Sequence, residues 1–228
     1  MKRMCGASFK LALRLRFQSQ CGAVNDNAGM SKLIAPVLQP GSMSGRQQPV
    51  LRVDDQFVLR PWTQEDVPAL VAAFADPDIQ QWNLNSFDEE GAKRLVAKWN
   101  DAWTNEAGAY WAIARSSDNV AIGQVGLRAV DLIAGVAEIW YWIAPQARGN
   151  GVASLATSVL SVWLFEDLGL HRLELGHSVH NPASCHVAAN AGFALEGTKV
   201  SALLHSDGWH DMHWHARIGD VESAVEAL

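Results

Sequence analysis

The stretch Gln146-Ala147-Arg148-Gly149-Asn150-Gly151-Val152-Ala153 constrains this chain more than any other, because of what flanks it. Before it stands a strand-like apolar run, residues 138–144. After it, residues 154–168 hold no proline or glycine and read as a helix. A chain that turns from strand into helix through two glycines aims several backbone N–H groups the same way, at the positive end of a helix dipole. Such a loop suits an anion, phosphate above all. An ordinary turn is the competing reading, and two glycines alone do not separate the two. The downstream order favours the anion site: helix, strand at 172–179, an Asn181-Pro182-Ala183-Ser184 helix start, then Ala191-Gly192-Phe193.

Upstream, residues 57–60 read as a strand stopped by Pro61. Thr63-Gln64-Glu65-Asp66 reads as a capping box, opening a helix that Asp76-Pro77 ends near residue 75. Ser86-Phe87-Asp88-Glu89 repeats the device before a helix with Leu95, Val96, Trp99 and Trp103 at helical spacing. Three strands come next, at 110–115, 121–130 and 136–144, and two more close the chain near 193–200 and 209–218. An antiparallel run leading into one strand-helix-strand crossover predicts an α/β (α+β) fold, a single mixed and mostly antiparallel sheet flanked by helices.

Charge divides the chain. Residues 1–50 carry seven basic side chains against the single acid Asp26, so a total of −6 leaves about −12 on the rest. An acidic body attracts amines and repels nucleic acid. Residues 1–50 lack patterned apolar content and are expected to be a disordered extension, with the folded domain at 51–228. The basic, amphipathic first 17 residues fit an organelle transit peptide better than a secretory signal, since Arg14 and Arg16 break the apolar run. A start at Met30 or Met43 is an equal alternative. No apolar run reaches the roughly 18 residues of a membrane span. Cys5, Cys21 and Cys185 show no metal-type spacing and point to a reducing, cytoplasmic setting.

The ordered pieces resemble the GNAT superfamily of N-acetyltransferases, whose Gln/Arg-x-x-Gly-x-Gly/Ala signature is matched by Gln146, Gly149 and Gly151. Val58-Leu59-Arg60-Pro61-Trp62, Ile122-Gly123-Gln124-Val125-Gly126, Ala137-Glu138-Ile139 and Gly208-Trp209-His210-Asp211 make the Rim-type ribosomal-protein N-terminal acetyltransferases the nearest subgroup. The resemblance covers about residues 56–219. It implies acetyl-CoA as co-substrate, its pyrophosphate held by the amides of Arg148, Gly149, Asn150, Gly151, Val152 and Ala153 with Gln146 in the signature. Its pantetheine arm would lie along Trp142 and Ile143, close to Asn181 and Ser184. The resemblance implies no metal. The acceptor is a small-molecule or peptide amine, and the sequence does not separate a monomer from a homodimer.

Direct transfer to an amine needs a base for the nucleophile and a hydroxyl for the leaving thiolate. Glu138, in Ala137-Glu138-Ile139, is the candidate base by resemblance; an exposed strand glutamate is the bland reading. Rim-type enzymes can use a later glutamate, but the corresponding position here is Leu203, so His205 with water, or no dedicated base, stays open. Ser184 is the candidate acid, because it lies too far inside its helix to be the cap, a role that suits Asn181 followed by Pro182. Other branches use a tyrosine one turn on; that position is Ala188, which leaves serine as the expected hydroxyl. Cys185 is expected to face the core. On a strand, His213 and His215 share a face as a metal pair would, but no third ligand stands at a recognisable spacing. Trp82 is a candidate wall of the acceptor pocket, where an aromatic face can hold a cation. A larger acyl donor such as succinyl-CoA, or an acyl-CoA-sensing module without catalysis, remain the alternative functions.

Overall fold

The computed structural model describes residues 33–219. One mixed sheet runs through it, with strands β1 (Leu51–Arg52), β2 (Phe57–Pro61), β3 (Ala109–Arg115), β4 (Ala121–Asp131), β5 (Val136–Ile143), β6 (Arg172–Ser178), β7 (Ala194–His205) and β8 (Gly208–Ile218). Their spatial order is β1-β2-β3-β4-β5-β6-β8-β7. Every neighbouring pair is antiparallel except β5 and β6. This is the sheet expected from the strand-helix-strand crossover. Five α-helices accompany it: α1 (Val67–Phe74), α2 (Pro77–Trp82), α3 (Glu89–Thr104), α4 (Val152–Trp163) and α5 (Pro182–Asn190). Among the described residues, no helix is long and apolar enough to cross a membrane.

Local chemistry explains the boundaries. The Asp66 carboxylate accepts from the Thr63 N–H at 2.9 Å and from both terminal nitrogens of Arg60 at 2.7 Å, tying β2 to the turn before α1. Asp76-Pro77 ends α1 as expected, but it also starts α2, which sequence reasoning missed. The Asp76 carboxylate accepts from the Asp78 and Ile79 amides, and Pro77 takes the first helical turn, where no N–H is needed. The cap of α3 is Asp88, accepting from the Gly91 N–H at 2.7 Å, rather than Ser86.

Strand alternation sends apolar side chains to both faces of the sheet. One core joins Trp111, Ile113, Val125, Leu127 and Ile139 to Ala156, Leu160 and Leu164 at the α4 side. The other joins Ala112 and Trp142 to Trp62, Leu70, Phe74, Val96 and Trp99 of the α1–α3 layer.

The expectation for residues 1–50 is corrected in its described part. Leu38 and Met43 are buried in the first core, and the amides of Val37 and Leu38 donate to the carbonyls of Ile133 and Leu132. The Glu106 carboxylate, on a residue at φ +55°, accepts from the amides of Gly41, Met43 and Ser44 at 2.8–3.1 Å. The indole N–H groups of Trp103 and Trp111 donate to the carbonyls of Arg46 and Pro49, both at 2.8 Å. This strap has no periodic apolar pattern because it forms no regular element: Leu38 and Met43, its backbone, and the polar side chains of Arg46 and Gln48 attach it. The transit-peptide and start-site readings fall on residues outside the described ones. We expect Met43→Ala, which empties a fully buried position, to destabilise the fold by about 2–5 kcal/mol in denaturant melts. A neutral result would mean that the strap docks without contributing to the core.

Candidate active site

The cavity of the molecule begins where β5 and β6 part. They pair in parallel only through Val136–Arg172, Ala137–Leu173 and Glu138–Glu174. Beyond that point β5 stays with β4 as far as Ile143, and β6 stays with β8 as far as Ser178. The two strand edges, near 139–143 and 175–178, bracket a cavity of about 490 Å³. Along those edges the main chain lacks its ladder partner, and buried amides and carbonyls demand one.

At one end lies the glycine loop. A 3₁₀ turn, Pro145–Ala147, comes after β5, and α4 opens at Val152, two residues before the expected start. Gly149 and Gly151 sit at φ +84° and +71°, conformations that side chains other than Gly and Asn rarely adopt. No side chain caps α4, and the Leu155 N–H makes the first bond, to the Gly151 carbonyl at 3.1 Å. The first-turn amides before it therefore have no intrahelical acceptor. Trp142, Ile143, Arg148, Gly149, Gly151, Val152 and Ala153 line the cavity as expected; Gln146 and Asn150 are exposed and do not. The Arg148 side chain braces the loop, donating to the Ile143 carbonyl at 3.1 Å and to Asp78 at 2.9 Å. The geometry and donor set fit a pyrophosphate without requiring that guanidinium.

The middle of the cavity holds the first turn of α5. The Asn181 side chain accepts from the Ser184 N–H at 3.1 Å, with Pro182 next to it, so the expected cap is present. Asn181 and Ser184 both line the cavity. Ser184 is not the sole hydroxyl there. Tyr141 lines it too, and its OH donates to the Ser184 carbonyl at 3.4 Å. Burial pushes that phenol up to about 12, so it stays protonated. Sequence reasoning missed Tyr141; its alternation with Ile139 and Ile143 on β5 was the available signal.

Glu138, the candidate base, lies off the cavity lining. It is the last β5 residue paired to β6, inside the closed part of the sheet, and it does not line the cavity. Its carboxylate accepts from the Arg128 guanidinium across β4 at 2.6 Å. An Ala-Glu-Ile motif identifies the strand but not where the strand separates from its neighbour.

The far end is lined by Trp82, Ser178, Leu203 and His205. His205 Nδ1 lies 3.3 Å from the Gln81 carbonyl, which can only accept, so the proton sits on Nδ1. Nε2 is left as a lone pair, buried and without a partner among the described residues. Burial holds this histidine below the usual imidazole range. Trp82 meets the ring edge-on at 5.7 Å, and His210 stacks on it at 4.2 Å. His210 in turn joins Asp207 to Ser178, through Nε2 at 2.8 Å and Nδ1 at 2.8 Å. Ser178 was not singled out in the sequence, since only the β6–β8 register brings it to His210; Asp207 stands three residues before His210, a local signal that was available.

The same register sets His177 opposite His213. With His215 and Cys185, their ligand atoms all lie within 4.8 Å of one another. Sequence spacing offered no third ligand to His213 and His215; the fold supplies two. Cys185 is half-buried among these rings rather than in the core.

The family model described as "Acetyltransferase (GNAT) domain" matches residues 56–194. The uncharacterised N-acetyltransferase YoaA of Bacillus subtilis is 29% identical over 153 residues, covering 65% of this chain and 85% of that protein. A ribosomal-protein-serine acetyltransferase of Escherichia coli is 32% identical over 101 residues, 44% of this chain and 56% of its own length. Among solved structures, the ribosomal-protein α-N-acetyltransferase RimL in complex with coenzyme A superposes with a TM-score of 0.70 at 24% identity, covering 75% of this chain and 99% of that one. The matched region holds the glycine loop, the parted strands and the start of α5, and its relatives include ribosomal-protein acetyltransferases in keeping with the Rim-type resemblance: the chain belongs to the GNAT acetyltransferases and is an acyltransferase.

Proposed function

We propose that the protein transfers an acetyl group from acetyl-CoA directly to the α-amino group of a peptide or amino acid. The observation that carries this reading is one continuous cavity joining an uncapped helix start, two unpaired strand edges, a serine and an unpartnered imidazole. Acetyl-CoA supplies the activated thioester. The amides from Arg148 to Ala153 bind its pyrophosphate, and the β5 edge at Trp142 and Ile143 accommodates the amide-bearing arm as a strand would.

His205 Nε2 takes the proton from the amine nitrogen as that nitrogen bonds to the carbonyl carbon, when its acidity rises steeply. The low basicity that burial imposes keeps the ring neutral at pH 7 and able to accept. Ser184 donates its hydroxyl proton to the departing sulfur. Tyr141, whose proton is already directed to the Ser184 carbonyl, is a positioning residue for that turn of α5.

The lining supports an α-amine rather than a polyamine. Among the described residues its only carboxylate is Asp78, which is engaged by Arg148, so a second cationic centre would find no counter-charge. An α-amine, with a free pKa near 8, also needs a weaker base than a lysine does. The names of relatives span both classes, a ribosomal-protein-serine acetyltransferase and a spermidine acetyltransferase of Vibrio cholerae. Cysteine usage supports a cytoplasmic setting.

A thiol-release screen of acetyl-CoA and succinyl-CoA over peptides, amino acids and polyamines tests the reading. Turnover is expected with acetyl-CoA and α-amines; release with no amine in the screen would favour a sensing module. Gly151→Asn keeps a left-handed residue at the α4 start but adds a side chain to the cradle. It should raise KM for acetyl-CoA about tenfold with little change in stability; unchanged affinity in calorimetry would remove the loop from the cofactor site.

Ser184→Ala should lower kcat about 10²-fold at nearly constant KM for acetyl-CoA. A raised KM with kcat retained would make Ser184 a binding contact only.

The pH profile depends on His205. The base must be unprotonated, and its pKa lies below the usual imidazole value of about 6.5. With the rate corrected for the neutral fraction of the acceptor amine, which itself falls below about pH 8, the remaining profile should hold as pH falls towards that imidazole value and drop only below it. His205→Gln should lose about 10²-fold in kcat/KM together with this acid limb. An acid limb that persists in the variant assigns the base elsewhere.

A further inference from the structure

We propose that His177, Cys185, His213 and His215 form a four-ligand site for a zinc ion, on the wall of the acyl cavity between β6, β8 and α5. Nothing in the acetyl-transfer reading uses this group of side chains beyond the His177 ring at the cavity edge.

Proton positions carry the argument. His177 Nδ1 lies 2.8 Å from the Ser178 carbonyl, and His215 Nδ1 lies 3.4 Å from the Phe193 carbonyl. A carbonyl only accepts, so both Nδ1 atoms hold protons and both Nε2 atoms present lone pairs. Those two Nε2 atoms face each other at 3.1 Å. Two lone pairs at that distance repel. One extra proton would bridge them only by making a buried imidazolium, costly beside the His213 ring at 5.4 Å. A cation between them resolves the conflict: tetrahedral zinc holds two imidazole nitrogens about 3.3 Å apart. An imidazole that binds a metal typically donates its other N–H to a backbone carbonyl, as both rings do here.

The remaining two ligands are present. His213 Nδ1 is buried and has no partner among the described residues. Cys185 Sγ completes the set, whose ligand atoms all lie within 4.8 Å of one another; tetrahedral zinc brings sulfur and nitrogen ligands to roughly 3.5 Å, so the group needs to contract by no more than about 1 Å. Three imidazoles and a thiolate suit borderline zinc better than magnesium or calcium, which take oxygen donors. Binding breaks the Cys185 S–H bond and releases one proton, and the thiolate pair forms the Zn–S bond. With all four positions filled by protein, no coordination site is left for substrate, so the ion is structural in type.

The fold gives such an ion something to do. Helix α5 buries only Ala188 fully, so apolar packing holds it weakly. Cys185 is on that helix, next to Ser184, while the histidines are on two strands of the sheet. The ion would pin the first turn of α5, and with it the serine, to β6 and β8.

The test uses the full-length chain without an affinity tag, titrated with Co²⁺ as a spectroscopic stand-in and with Zn²⁺ in thermal melts. The expected result is one equivalent of Co²⁺ giving intense visible bands of a tetrahedral ion and a near-ultraviolet thiolate-to-cobalt band. One equivalent of Zn²⁺ should displace it, and a modest excess should raise the melting midpoint by about 5 °C or more. Cys185→Ser should lose the thiolate band. Weak octahedral bands with an unmoved midpoint overturn the proposal. So does a thiolate band that survives in Cys185→Ser, which would assign the ion to Cys5 or Cys21. Should that variant fail to fold, His213→Gln serves in its place, and a full tetrahedral spectrum in it is equally fatal. These readouts need no acetyl transfer, so the site and the proposed reaction stand or fall separately.

Discussion

The molecule depends on a hydrogen-bond ladder that stops after three residues. Parallel pairing of β5 with β6 at 136–138 and 172–174 closes the sheet, and its abrupt end opens it. Each strand keeps its other neighbour, so the opening costs one row of ladder bonds without loosening either half. What it leaves is a pair of edges whose amides and carbonyls are satisfied only by water or by a ligand that itself carries amides. The glycine loop and α5 continue directly from the ends of these two strands. Their position relative to one another is therefore set by how far the strands separate.

Two sets of contacts tie the surrounding elements together. The strap at 34–50 packs Leu38 and Met43 into the core and caps the indoles of Trp103 and Trp111, on the α3–β3 side. Arg148 bridges the loop to Asp78 of α2, and α2 delivers Trp82 to the acceptor end. Exposed ion pairs contribute little alone. This one joins the glycine loop to α2, at opposite ends of the same cavity. The acceptor end and the histidine cluster share β6, where Ser178 and His177 are consecutive and alternation sends their side chains to opposite faces. One strand thus serves a proton-handling group on one side and the proposed metal site on the other.

Legibility from sequence tracked the range of the interaction. Helix starts are local, and the sequence located most of them: Asn181 with Pro182, the Thr63 turn, the glycine entry to α4. Asp76-Pro77 was read as a stop alone, because the same residues cap the next helix as readily as they break the last. Strand alternation carried the sheet, since a period of two survives without knowledge of partners. The strap at 34–50 was illegible because it has no period. Tyr141 lines the cavity and Glu138 does not. They stand three residues apart on one strand, so alternation turns them to opposite faces, and the point where β6 departs opens the cavity beside Tyr141.

The sequence by itself determined most of the elements and their order, the glycine loop between strand and helix, and the family, since each rests on contacts within a few residues or on a fixed spacing. The tertiary structure decided which side chains meet. His205 faces the cavity with a free nitrogen, Ser178 joins His210 and Asp207, and His177 with Cys185 joins His213 and His215. The meetings of Ser178 with His210 and of His177 with His213 depend on the β6–β8 register, and that of Cys185 with the histidines on where α5 lands. A one-residue shift of β6 against β8 would part Ser178 from His210 and His177 from His213 while leaving each local pattern unchanged.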